Sequence, residues 1–206
     1  MKILRTALAL TGVLACILLA GCFLKPAPEP DYYVLPSPEA QSYVAEGITR
    51  LAGCRVVVGP VTIPGYLDHL PILVRDPKAN TVALKNDARW SESLAAGITR
   101  VLCDSLTLRL APSGGSAFPM ETAMNADWRL FVNIMRFDGA PDAPVALEAD
   151  WSLTTPYGEV LRHGRFKDTL KAGPELNGMV AAMGRLLDTF GAQLEREIST
   201  LPAPRR

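Results

Sequence analysis

The segment 145–153 constrains the fold more than any other part of the chain. Val145, Leu147, Ala149, Trp151 and Leu153 point one way, and Glu148, Asp150 and Ser152 point the other, because successive side chains of a strand leave opposite faces. This order predicts a half-buried strand. Its neighbours are Trp128 to Phe137 and Glu159 to Leu170, joined to it by turns around Asp138-Gly139 and Pro156-Tyr157-Gly158, the residues that favour chain reversal. Upstream, from about Ala88 to Leu110, the period becomes helical. Trp90, Leu94, Ile98, Val101, Ser105 and Leu108 share one face, with Arg89, Glu92, Arg100 and Asp104 elsewhere, the pattern of a helix packed on a sheet. A second helix is predicted from about Pro174 to Thr200, with Met179, Met183, Leu186, Leu187, Phe190, Leu194 and Ile198 on one face and Pro202 forbidding continuation.

The remaining segments supply shorter strands. Tyr32-Tyr33-Val34-Leu35 reads as a strand closed by Pro36. Arg55 to Ile63 is apolar on both faces, as a central strand is, but Gly59-Pro60 predicts a bulge or an edge there. Ile72 to Arg75 and Thr81 to Lys85 form a hairpin through residues 76–80, and Pro112 to Ser116 reads as a loop. Two long amphipathic helices among six or seven strands give an α/β domain with a mixed, largely antiparallel sheet.

The N-terminus states how the chain travels. Lys2 and Arg5 precede the apolar stretch Thr6 to Ala20, and Leu19-Ala20-Gly21-Cys22 follows as a lipid-attachment box. The apolar stretch is about 15 residues long, short of the roughly 20 that span a bilayer. Residues 1–21 are therefore read as a lipoprotein signal peptide, and Cys22 as the lipidated N-terminus. Residues 22–31 form a Pro-rich tether, since F-L-K-P-A-P-E-P at 23–30 favours an extended chain. Residues 32–201 are read as a single domain. Several acyl chains on one terminus hold a protein at a membrane, and Phe23 and Leu24, where an aspartate would retain a lipoprotein at the inner membrane, point to the periplasmic face of the outer membrane. Removing Lys2 and Arg5 from 21 basic residues leaves 19 against 21 acidic ones, a formal charge of −2, so no footprint for nucleic acid is expected.

Catalytic signals are absent from the sequence. It has no G-x-S-x-G elbow, no phosphate loop and no dinucleotide fingerprint. Only His69 and His163 could join a metal site, without a C-x-x-C pair to help them, so no metal and no cofactor are expected. Glu148 and Asp150 lie about 7 Å apart on one strand face, but the strictly apolar opposite face explains them as a solvated surface. An oxidising compartment permits a Cys54–Cys103 disulfide. On a helical wheel, however, Cys103 lies nearly opposite Leu94, Ile98 and Val101, and the pairing stays open.

Five segments occur in an order that resembles the PqiC (YmbA) family of ABC-transport auxiliary lipoproteins. They are Tyr32 to Leu35 soon after the lipid box, V-V-V-G-P-V-T-I-P-G-Y-L-D at 56–68, R-W-S-E-S-L at 89–94, R-F-D at 136–138 and L-E-A-D-W-S-L at 147–153. The resemblance spans nearly all of the mature chain. It implies a three-layer α/β/α sandwich with a mixed sheet and a non-catalytic outer-membrane lipoprotein. The implied partners are an MCE-domain protein that spans the periplasm and its inner-membrane permease, in a machine that moves lipids; self-association is left open. Within Pro60 to Asp68, a poor strand interior, Ile63, Tyr66 and Leu67 offer the apolar and aromatic anchors typical of interfaces. The competing readings are a structural envelope lipoprotein and a periplasmic enzyme with an unrecognised site. Replacing Cys22 by serine is expected to leave an unprocessed precursor without acyl mass, as read by mass spectrometry of the intact N-terminus.

Overall fold

A computed structural model describes residues 29–39, 53–122 and 125–202 of the 206-residue chain. The signal peptide, Cys22 and the first part of the tether lie outside the described residues. In chain order the elements are β1 (Asp31–Tyr33), β2 (Arg55–Thr62), β3 (Pro71–Arg75), β4 (Val82–Trp90), α1 (Leu94–Leu110), a 3-10 turn (Ala111–Ser113) and β5 (Ser116–Pro119). These are followed by β6 (Trp128–Asp138), β7 (Pro144–Thr154), β8 (Val160–Lys171) and α2 (Glu175–Ser199). The chain forms the expected mixed α/β sandwich with two long helices, its strands divided between two open sheets.

The larger sheet has the order β5-β2-β6-β7-β8. Strand β2 runs parallel to both β5 and β6, while β6, β7 and β8 form the antiparallel meander. The central position expected of β2 is observed, and its pairing with β6 slips between Val58 and Val61, where Gly59-Pro60 predicted a bulge. The smaller sheet has the order β1-β4-β3, with β1 parallel to β4 and β3 joined to β4 as the expected hairpin.

Strand β1 runs from Asp31 to Tyr33 and stops short of the expected Leu35, and two larger differences from the sequence reading concern α1 and β5. Helix α1 begins at Leu94 rather than near Ala88, because Ala88, Arg89 and Trp90 extend β4 alongside β1 and the Trp90 N–H donates to the Leu70 carbonyl. Ser93 then caps the helix by accepting from the Ala96 N–H. Trp90 is 5% exposed, so it is a core residue from a strand and not from the helix face. The buried stripe of α1 is correspondingly wider: it includes Leu102, Leu106 and also Cys103, while Leu108 is only half-buried. The second difference is β5, whose four residues carry no periodic signal. Its Ala117 is gripped by the Thr107 hydroxyl, which accepts from the N–H and donates to the carbonyl. Cys54 and Cys103 are both free thiols.

The two helices lie together on one face of the larger sheet. All seven predicted stripe residues of α2 are buried, and Phe190 meets Phe166 of β8 with ring centroids 4.8 Å apart. Each fully buried side chain of this size stabilises the fold by about 1.5–3 kcal/mol. The helices touch where Gly191 leaves room for Ser105; a Cβ at that position would collide with the serine hydroxyl. That hydroxyl donates to Asp188 at 2.7 Å, and Arg109 reaches the same carboxylate at 2.8 Å.

The alternation in β7 holds throughout, with Val145, Leu147, Ala149, Trp151 and Leu153 all buried. Trp151 lies over Gly164 of β8, where an added Cβ would stand 2.8 Å from the indole. Trp151→Ala and Trp90→Ala should each lower stability by about 3–5 kcal/mol. Gly164→Ala should lower it by about 1–3 kcal/mol through overpacking. Urea denaturation followed by circular dichroism checks all three, and midpoints like that of the wild type would contradict this register.

Candidate docking surfaces

The helix-free face of the larger sheet is open and mixes cross-strand ion pairs with apolar groove lining such as Phe131. Pairing across the meander places Asn133, Asp150 and Arg165 on one rung and Phe131, Ser152 and His163 on another. With Pro60 and Thr62 from β2 they border a shallow groove of about 660 Å³. Arg165 grips Asp150 through two hydrogen bonds of 2.6 and 3.0 Å, and Lys167 meets Glu148 at 3.0 Å. The Arg165 guanidinium holds the Asp150 carboxyl below its ordinary range, so this carboxylate carries no proton to deliver near neutral pH. These exposed cross-strand pairs are screened by water and add little to stability.

His69 and His163 are both exposed, and no three His, Cys, Asp or Glu side chains among the described residues could share a metal ion. Burial pushes the Cys54 thiol up to about 11 and the Cys103 thiol up to about 12, so neither supplies a thiolate nucleophile. No helix among the described residues is long and apolar enough to cross a membrane.

The segment after β2 is built around a buried charge. Asp138, at the end of β6, has a fully buried carboxylate. It accepts two hydrogen bonds from Arg75 of β3 at 2.6 and 2.8 Å, one from Arg136 at 3.0 Å and one from the Tyr66 hydroxyl at 2.8 Å. Burial alone would raise the pKa of Asp138, but the hydrogen bonds from Arg75, Tyr66 and Arg136 outweigh it and hold the carboxyl below its ordinary range. Burial and the same carboxylate push Tyr66 up to about 12. The Arg75 backbone N–H also donates to the Gly139 carbonyl at 2.8 Å, so side chains and backbone together join the smaller sheet to the larger.

This arrangement places the three interface candidates differently. Leu67 is 4% exposed and belongs to the core, Tyr66 is half-buried with its hydroxyl committed to Asp138, and Ile63 is half-buried against the core. Asp68, His69 and Leu70 form the exposed end of the segment. Sequence reasoning missed the Asp138 cluster although two of its parts, R-F-D at 136–138 and Tyr66, lie in the family motifs; nothing local shows that they meet Arg75.

A crystal structure of an uncharacterized protein has a TM-score of 0.67 and 20% identity to this chain, covering 83% of it and 99% of the other. A Xanthomonas campestris protein of the DUF330 family has a TM-score of 0.62 at 14% identity, covering 82% and 96%. At these identities the likeness is one of fold. A search of curated proteins finds no match.

Asp138→Asn should cost about 3–5 kcal/mol, because two arginines would keep their charge beside a neutral amide. The sign with pH follows from the lowered folded-state pKa: the carboxylate's contribution is complete above the ordinary aspartate value of about 4 and fades as pH falls through the folded value. Denaturation of both proteins from neutral pH into acid should therefore show their difference narrowing below about pH 4, and a constant difference would contradict it. The sequence model for ABC-type transport auxiliary lipoprotein components matches residues 33–195, an interval that contains every group in this cluster, and the chain belongs to that family.

Proposed function

We propose that the protein is a non-catalytic docking subunit of a lipid transport system, held by lipid on Cys22 at the periplasmic face of the outer membrane. Residues 1–21 are the signal peptide, 22–31 the tether and 32–201 the single working domain. The partner is an MCE-domain protein that spans the periplasm from an inner-membrane permease. The observation that carries this reading is the family match across residues 33–195. Phe23 and Leu24 support the outer-membrane destination. The open, ion-paired sheet face and the two protonated, buried thiols support a role exercised through surfaces.

The stretch Pro60 to Asp68 remains the proposed contact region. Ile63 and Tyr66 keep part of their surface in solvent and contribute directly, while buried Leu67 holds the segment in place. An affinity-tagged full-length chain, solubilised from fractionated membranes, should come from the outer-membrane fraction and bring an MCE-domain protein with it. Recovery from the inner membrane would reject the location, and capture of no MCE-domain protein from its own organism would reject the docking role. Ile63→Asp should reduce capture while leaving the circular dichroism spectrum unchanged. Leu67→Asp should instead unfold the domain, and undiminished capture by folded Ile63→Asp would reject the segment.

A further inference from the structure

Arg89 opens the segment R-W-S-E-S-L, paired through its backbone with β1 and β3 but with no side-chain ion pair among the described residues. Trp90 and Leu94 are core, Ser93 caps α1, and Glu92 pairs with Arg100 at 2.7 Å. The Nε of Arg89 is buried and has no hydrogen-bond partner among the described residues. Arg89 as a whole is only half-buried, and a guanidinium carries further N–H donors that an anion can use. Register places Arg89 beside Tyr32 of β1, on the face of the smaller sheet opposite Trp90. Tyr32 is 66% exposed, so the cation adjoins an exposed aromatic side chain, and Val34, 53% exposed, follows just past the end of β1.

We infer that Arg89, with Tyr32 beside it, binds a phospholipid headgroup phosphate and seats the smaller sheet, with the exposed Val34 next along the chain, on the membrane that holds the anchor. The inference rests on the proposed lipidation of Cys22. A guanidinium fork matches phosphate with two parallel hydrogen bonds, and tyrosine favours the membrane–water boundary, where its ring is apolar and its hydroxyl wet. The short tether keeps β1, the first strand of the domain, within reach of the lipid that anchors it. Asp31 follows Cys22 by nine residues, so β1 starts within about 32 Å of the acyl chains even if the tether is fully extended. The mature chain's net negative charge gives no general attraction to an anionic bilayer, which leaves the contact to a local cation.

The test uses full-length lipidated protein in phosphatidylglycerol–phosphatidylcholine vesicles, with a nitroxide on Val34→Cys and, as reference, on Tyr157→Cys in a turn that is 98% exposed. Native Cys54 and Cys103 are buried, so unsubstituted protein should take up no label. A water-soluble nickel relaxant should reach position 34 several-fold less than position 157. Arg89→Gln should remove most of that protection and Arg89→Lys should keep part of it, with both variants melting like the parent. Equal access at the two positions, or protection indifferent to Arg89→Gln, would overturn the inference while acyl mass on Cys22 leaves the anchoring intact. Absence of that acyl mass would overturn both readings. Loss of protein capture in Arg89→Gln with the label unmoved would make the ligand a partner's carboxylate and also overturn the lipid contact.

Discussion

The carboxylate of Asp138 has no access to water, and it lies where the two sheets meet. Removing an ion from water carries a large penalty, offset only when its lone pairs are filled by well-placed donors. Here the donors come from β3, from β6 itself and from the connection after β2. The position of the hairpin, the path of the segment at 63–67 and the end of β6 are therefore tied together, because moving any one of them takes a donor from the buried carboxylate. The Arg75 N–H on the Gly139 carbonyl adds a backbone bond to the same junction.

The same junction explains what the motifs report. R-F-D at 136–138 and the tyrosine of P-G-Y-L-D meet in that cluster, R-W-S-E-S-L ends β4 and caps α1, and L-E-A-D-W-S-L is the middle of the meander. Tyr32 to Leu35 begins the smaller sheet and then runs to α1, where Arg100 donates to the Leu35 carbonyl and to the Ser37 hydroxyl. These are mostly duties of folding. The family match thus bears mainly on architecture, and within the motifs only the side chains that keep surface in solvent, such as Ile63 and Tyr66, are left for a partner.

Periodicity made the meander, the β3–β4 hairpin and α2 legible, since each spans enough residues for alternation or a helical stripe to repeat. It misplaced the start of α1 because Trp90 and Leu94 are separated by four residues, a spacing equally natural to one helix face and to a strand end followed by a capped helix. Strand β5 was too short to show a period, and its place depends on Thr107, nine residues before its first residue. The candidate contact segment was visible as a break in a strand, but its orientation was not. Whether Tyr66 and Leu67 face out or in depends on Arg75 and Asp138, which are distant in sequence.

The central place of β2 has a consequence for the order in which the domain can assemble. Its apolar residues emerge early, yet its neighbours are β5 and β6: Val56 must wait for Ala117 on one side and Trp128 on the other. Pairing across such separations is slow, because loop closure comes before any reward from contact. Until β6 arrives, R-V-V-V-G-P-V-T is an unpaired strand with two open edges, the kind of segment that recruits other chains. The early-exposed strand is thus the one most in need of a holding chaperone, and the bend at Gly59-Pro60 breaks its length where an uninterrupted edge would be most adhesive.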